Sequence, residues 1–185
     1  NVNKAVLREA VVIQMTWPGA PTIYYGDEAG VCGFTDPDNR RTYPWGKEDK
    51  DLIRFYKEII GIHKRYPVLV DGSLMALYND YNILAYGRFN ITEQMVIILN
   101  NRNEQVHVEI PVWLTGMKRS GETEMVEIFR TDAVSFRSMK GVHEVNAGIL
   151  EMDLLPLSAV ILHREEKAQL EGVSSYRYDS RRKEE

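Results

Sequence analysis

The residues best suited to contact a ligand lie in a stretch rich in Gly, Pro, Asp and Asn that covers residues 27–47. Asp36 and Arg40 are four positions apart within it, in the run DPDNR. A carboxylate accepts hydrogen bonds from hydroxyl groups, and a planar guanidinium donates several while it orients the carboxylate. The pair can therefore make directed contacts to a polar ligand. A turn closed by a local ion pair is the alternative, because Asp-Pro-Asp-Asn is also favourable turn chemistry.

Two adjacent carboxylates, Asp27 and Glu28, begin this stretch and suggest an acid and a base. They follow a short apolar run at residues 20–25, which we interpret as a buried strand of a parallel sheet. Because neighbouring strand residues point to opposite faces, the two carboxylates are not expected to address one substrate group together. We expect them to accept hydrogen bonds from neighbouring loops, and no residue of the chain is assigned a catalytic role.

Neither a metal site nor a disulfide framework is indicated. The four histidines lie in different predicted elements without the short spacing of a metal site, and Cys32 is the only cysteine. The run DPDNRR lacks the Gly and the distal Glu of an EF-hand loop. We therefore expect no metal and no cofactor.

Composition and charge exclude several other classes. The 23 Lys and Arg residues against 27 Asp and Glu residues give a net charge of −4 without a basic stripe, which argues against nucleic acid as a partner. No apolar run approaches the ~20 residues that span a bilayer, and no signal peptide opens the chain. We expect a cytoplasmic protein without a membrane partner.

The elements around the charged stretch are helical. Apolar residues recur every three or four positions over residues 3–17, and Pro18-Gly19 ends that pattern. A second helix is predicted over residues 49–66, because acidic residues stand in its first turn, basic residues in its last, and Pro67 stops it. One parallel-type strand between two helices cannot close a sheet, so residues 1–67 look like the end of a larger domain.

The pattern changes to period two after residue 67. About seven short alternating stretches, bounded by Asn, Asp and Gly, predict an antiparallel β-sandwich over residues 68–164. Residues 165–185 are polar and charged, and we expect a disordered tail. The predicted fold class is thus α+β, with a helical first third and an all-β remainder.

Two runs together resemble the α-amylase family of glycoside hydrolases: PGAPTIYYGDE at residues 18–28 and DPDNRR at residues 36–41. The chain is most similar to the cyclomaltodextrinase, neopullulanase and maltogenic amylase group. The resemblance implies that residues 1–67 are the C-terminal end of a (β/α)8 barrel, with its last strand between two helices. The long loop would then lie at the face where such barrels build active sites.

The resemblance also implies roles for four loop residues. Asp36 and Arg40 would contact the glucose unit at the outer glycone subsites of the enzyme. Tyr43 and Trp45, which flank Pro44, are candidate walls of a subsite, because aromatic rings stack on sugar faces. A Tyr-Pro-Trp cluster that seals the loop onto the domain beneath it is the alternative.

The implied activity is hydrolysis of α-1,4-glucosidic bonds in maltodextrins, cyclodextrins or pullulan, with retention of configuration. Retention requires two carboxyl groups about 5 Å apart, and the family's nucleophile, acid and third Asp would all lie upstream of residue 1. We therefore expect this chain alone to be inactive. The partners implied are α-glucan oligosaccharides, the preceding barrel portion and a second copy in a homodimer.

A non-catalytic module that binds carbohydrate or supports oligomerisation is the competing interpretation. Its candidate sugar-binding patch consists of four aromatic residues of the β-sandwich, namely Tyr78, Tyr81, Tyr86 and Trp113. Large rings also supply much of the burial in a small sandwich, so a role in the core is the simpler interpretation of each.

Overall fold

The computed structural model describes residues 3–165, and for residues 139 and 140 the backbone only. The predicted disordered tail lies outside the described residues from position 166 onward. Helices come first and strands follow. The helices are α1 (Lys4–Thr16), α2 (Lys50–Arg65) and α3 (Val68–Asp71), with 3-10 turns at Asp27–Ala29 and Val112–Thr115. The strands are β1 (Ser73–Asp80), β2 (Ile83–Phe89), β3 (Glu93–Asn100), β4 (Val106–Ile110), β5 (Glu122–Thr131), β6 (Phe136–Asn146), β7 (Ile149–Leu154) and β8 (Ser158–Glu165).

Both long helices begin at side-chain caps. The carboxamide of Asn3 accepts the N–H of Ala5 at 3.0 Å, and the carboxylate of Asp49 accepts the N–H of Leu52 at 3.1 Å. Lys4 also forms an ion pair with Asp49, which joins the starts of α1 and α2. Within the described residues, neither these helices nor any other is long and apolar enough to cross a membrane.

The eight strands form one antiparallel sheet with the order β1-β2-β3-β8-β5-β6-β7-β4. A single buried cluster, here called the inner core, contains residues from both ends of that order, such as Leu77 of β1 and Val108 of β4. The sheet must therefore fold over on itself around the inner core, which gives the predicted sandwich-like packing. This confirms the predicted antiparallel all-β region.

A second cluster, here called the helix-side core, lies on the outer face of β2, β3, β5 and β8. It joins Val12 of α1 and Phe55 of α2 to Tyr86, Ile97 and other strand residues. Every residue of β3 is consequently buried, because the inner core covers one face and the helices cover the other. The helices and the sheet thus share one core across the domain boundary predicted at residue 67.

The structure differs from prediction at residues 20–25. This segment is neither helix nor strand, and in the part of the chain described here it pairs with no strand. Tyr24 and Tyr25 are about half exposed rather than buried. A parallel strand exists only through hydrogen bonds to its neighbours, and those neighbours are absent from residues 3–165.

Candidate functional site

The loop that joins α1 to α2 carries all of the predicted ligand-contacting residues, and its two halves are tied together at its base. The backbone N–H of Asp49 donates to the carbonyl of Ala29 at 3.1 Å, and Ala29 is buried. Gly26 turns the chain into the 3-10 turn with a φ of 94°, where an added Cβ would lie 2.8 Å from Val31 Cγ2. Glycine is therefore required at this position.

The adjacent carboxylates stand in the 3-10 turn and not at the end of a strand, so the argument from strand alternation does not apply to them. Glu28 accepts the N–H of Gly26 at 3.0 Å. Burial, and then the charges of Asp27 and Glu28, raise the pKa of Tyr56 on α2 to about 12. Glu28 thus closes its own turn, and a hydrogen bond from a neighbouring loop to either carboxylate stays a prediction.

Asp36 and Arg40 are brought together as a close pair. Arg40 Nε lies 2.6 Å from Asp36 Oδ1, and Arg40 Nη2 donates to Asp36 Oδ2 at 3.3 Å. Both side chains are exposed. The guanidinium therefore orients the carboxylate in two-point geometry, and both groups keep hydrogen-bonding capacity towards the solvent side.

A second ion pair, which the sequence reasoning missed, fixes the loop around the first. Asp38 Oδ1 accepts from Arg41 Nη2 at 2.6 Å, and Asp38 Oδ2 accepts the N–H of Phe34 at 2.9 Å. The Arg41 guanidinium, and then this backbone N–H, hold the pKa of Asp38 below its ordinary value. Tyr25 donates its hydroxyl hydrogen to the Arg41 carbonyl at 3.0 Å. The second Asp and the second Arg of DPDNRR, which are three positions apart, were the signal for this pair.

Tyr43 and Trp45 lie against one another, with ring centroids 4.6 Å apart. Tyr43 is half-buried, and partial desolvation followed by the charge of Glu28 raises its pKa. Trp45 is 82% exposed and so does not seal the loop onto the rest of residues 3–165. The two rings form an aromatic surface on the same loop as the Asp36–Arg40 pair.

The aromatic patch of the competing interpretation does not form. Tyr86 is buried in the helix-side core, whereas Tyr78 packs against the inner core on the other face of the sheet. Tyr81 is exposed at the tip of the β1–β2 hairpin, and the Arg119 guanidinium lies 4.3 Å from the ring centroid of Trp113. These residues therefore offer no common surface to a sugar.

Each histidine has its own partner. Three lie beside a carboxylate, in the pairs His107–Asp153, His143–Glu127 and His163–Glu93, and His63 contacts a backbone carbonyl. Among residues 3–165 there is no group of three His, Cys, Asp or Glu side chains that could hold a metal ion.

The β-region matches a known family. Residues 77–165 match the model described as "Alpha amylase, C-terminal all-beta domain". Those residues form an α-amylase C-terminal domain. The match covers β2 to β8 and the end of β1, and so includes most of the strands that build both cores.

The curated relatives of the chain are longer proteins that are named as enzymes of α-glucan breakdown. The chain is 34% identical over 163 residues to an amylopullulanase of Thermoanaerobacterium saccharolyticum, which covers 84% of this chain and 12% of that protein. It is 39% identical over 120 residues to neopullulanase 2 of Thermoactinomyces vulgaris, which covers 63% of this chain and 20% of that protein. Cyclomaltodextrinases and a maltogenic alpha-amylase are also among the relatives. The chain thus spans about a tenth to a fifth of the curated relatives described here, and the group named from the motifs is confirmed.

Solved structures with the same fold include an alpha-amylase from Geobacillus thermoleovorans complexed with acarbose. It superposes with a TM-score of 0.73 at 24% identity, over 90% of this chain and 35% of that one. The AmyP E221Q variant in complex with maltotriose gives a TM-score of 0.65 at 15% identity, over 87% and 35%. At this level of identity the likeness concerns the fold alone.

Proposed function

We propose that this chain is the C-terminal portion of a glycoside hydrolase that cleaves α-1,4-glucosidic bonds in maltodextrins, cyclodextrins or pullulan. Residues 1–67 would be the end of its (β/α)8 catalytic barrel, and residues 68–164 its C-terminal β-domain. A cytoplasmic homodimer is part of the proposal, taken from the subgroup that the chain resembles.

One observation carries the proposal. The likeness to the Thermoanaerobacterium amylopullulanase covers 84% of this chain. Residues 68–185 make up less than two thirds of the chain, so the likeness extends into the helices and loop of residues 1–67. An isolated β-domain borrowed by an unrelated protein would not carry that preceding segment with it.

In this proposal the Asp36–Arg40 pair binds a glucose unit away from the cleaved bond. The carboxylate accepts two sugar hydroxyls, and the guanidinium donates to others while it holds the carboxylate in place. Tyr43 and Trp45 supply the neighbouring apolar wall. Such contacts act through positioning and binding energy, outside the chemical step itself.

The chemical step belongs to residues upstream of this chain. A retaining glycosidase forms a covalent glycosyl-enzyme on one carboxylate while a second carboxyl group protonates the leaving oxygen. The two carboxylates of the loop base, Asp27 and Glu28, are adjacent in a 3-10 turn, and Glu28 accepts a hydrogen bond from the backbone of Gly26. They stabilise the loop and take no part in cleavage.

The test compares this chain with the longer protein that contains it, on pullulan, a cyclodextrin and maltotriose. We expect new reducing ends from the longer protein and none above the buffer control from residues 1–185. Early products followed by NMR should keep the α-configuration. A longer protein inactive on all three substrates would refute the proposal, and so would activity in the isolated chain.

A further inference from the structure

The last turn of α1, where the chain enters the loop, is held by side chains from two other elements. Arg88 of β2 donates from Nη1 to the carbonyl of Thr16 at 2.7 Å and from Nη2 to the carbonyl of Gly72 at 2.9 Å. The final carbonyls of a helix have no partner within the helix, and a cation there also favours the helix dipole. Arg88 therefore ties the end of α1 to the β-domain.

Two further groups hold the same turn. The Tyr86 hydroxyl lies 2.5 Å from Thr16 Oγ1, and the Trp17 and Tyr86 rings meet in a T-shaped arrangement with centroids 5.1 Å apart. His63 Nδ1 lies 2.7 Å from the carbonyl of Met15, and because a carbonyl only accepts, Nδ1 carries the proton. Tyr86 and Arg88 are two apart on β2 and so face the same side.

Stability alone does not account well for Arg88. Its side chain is fully buried, and Nε has no hydrogen-bond partner. Burying a cation without a paired carboxylate is costly, and apolar side chains of similar volume often serve a core as well or better. The feature that Arg88 supplies and an apolar residue does not is a fixed distance from β2 to the carbonyl of Thr16.

We propose that Arg88 is a positioning residue, which sets from the β-domain the point at which the sugar-contacting loop leaves α1. Pro18 follows two residues after Thr16, and the loop then carries Asp36 and Arg40 before it returns to α2. A shift at Thr16 would move the first half of the loop relative to the rest of the molecule. The functional part of this inference rests on the proposed function, whereas its structural part does not.

The first experiment measures amide hydrogen exchange in residues 1–185 for Arg88→Met, Arg88→Lys and a control, Ile161→Val. Ile161 lies in the same helix-side core, and its valine variant lowers stability without removing a polar contact to the end of α1. Arg88→Met should speed exchange of the amides of residues 13–17, in and just after the last turn of α1, by about tenfold relative to β3, as expected for loss of a charge-assisted hydrogen bond. Arg88→Lys, which keeps one donor group, should recover part of that protection.

The inference is overturned if residues 13–17 exchange no faster in the Arg88 variants than in Ile161→Val. Should Arg88→Met fail to fold, Arg88→Lys decides by the same comparison. In the longer enzyme, Arg88→Lys should raise KM for a long maltooligosaccharide and leave kcat on a short one unchanged. An equal loss on both lengths would also overturn it. Failure of the proposed function is separate, because it would appear as an inactive wild-type enzyme.

Discussion

The Asp36–Arg40 pair is exposed to solvent and contributes little to folding. Ion pairs between exposed side chains typically stabilise a protein by about 0–1 kcal/mol. Both of these side chains are more than half exposed. Their removal should therefore leave the fold intact, which makes them suitable for a test of ligand contact.

We predict that Asp36→Ala or Arg40→Ala in the longer enzyme lowers kcat/KM on long maltooligosaccharides about ten- to a hundredfold. One hydrogen bond to a charged group is worth roughly 1.5–3 kcal/mol, and about 1.4 kcal/mol corresponds to tenfold. Substrates too short to reach the subsite should lose little. The measurement is steady-state kinetics on a short and a long substrate.

The matched control is Asp51→Ala, which removes an exposed ion pair with Arg54 on α2. It should leave kcat/KM unchanged on both substrates. An equal loss on both lengths in the Asp36 and Arg40 variants, or none on either, would favour the alternative in which the pair only closes a turn.

Glu9 of α1 is a different kind of carboxylate, because it is only 3% exposed. Its Oε2 accepts from Asn101 Nδ2 at 2.8 Å, and its Oε1 has no partner. Burial outweighs the opposing effects of Asn101 and Arg8 and raises the pKa of Glu9 to about 7. The folded protein therefore keeps a proton on Glu9 that the unfolded chain loses near its ordinary pKa.

This difference in proton binding makes the stability of the fold decrease as the pH rises. Between the ordinary glutamate pKa and about 7, the folded state binds more protons than the unfolded state, so stability falls as pH rises and levels off above pH 7. Glu9→Gln, which mimics the protonated form, should remove this part of the slope. Thermal unfolding between pH 4.5 and 8 measures it, with exposed Glu109→Gln as the control; an unchanged slope in Glu9→Gln would contradict the prediction.

At the scale of elements, the turn between β6 and β7 depends on a close approach. Gly148 has a φ of 79°, and a Cβ there would lie 2.6 Å from Trp113 Cβ in the 3-10 turn that follows β4. Gly121 has a nearly equal φ of 82° with open space around it. Substitutions at Gly121 and Gly148 therefore share the same backbone strain, and only the one at Gly148 adds steric overlap.

We predict that Gly121→Ala costs about 1–2 kcal/mol through its left-handed backbone alone. Gly148→Ala should cost about 1–3 kcal/mol more, because Trp113 must move within a packed region. Chemical denaturation of both variants measures the difference. Equal losses would mean that the contact with Trp113 is easily relieved.

Sequence patterns predicted the elements that fold by local or alternating rules. Both long helices and the strands after residue 67 follow from caps, prolines and period-two runs, because those signals act within a few residues. Residues 20–25 form no strand within residues 3–165, since their composition is strand-like while strand formation depends on neighbours outside the segment. The Asp36–Arg40 pair was found from spacing, but Arg88 was not, because a buried arginine in a strand gives no signal about a distant helix end.

At the scale of the whole molecule, the helices are part of the core of the β-domain. They cover the apolar face of the sheet that includes Tyr86, Ile97 and Phe129. Without them that face would meet water, and contiguous exposed apolar patches promote association. The β-domain therefore depends on residues 1–67 for a covered outer face.

We predict that residues 68–165 alone bind more of a hydrophobic dye and form larger assemblies than residues 1–185 do. Light scattering after size-exclusion chromatography, together with dye fluorescence, measures both effects. A monomeric, dye-free fragment with an unfolding temperature equal to that of the whole chain would contradict the prediction.

The structure of the longer enzyme with a bound maltooligosaccharide tests the central claim most directly. The account predicts a sugar ring beside the loop, with its hydroxyls in hydrogen-bond contact with the Asp36 carboxylate and the Arg40 guanidinium and its cleaved bond elsewhere, between upstream carboxyl groups. A ligand bound in the catalytic cleft with residues 27–47 remote from every sugar ring would contradict it.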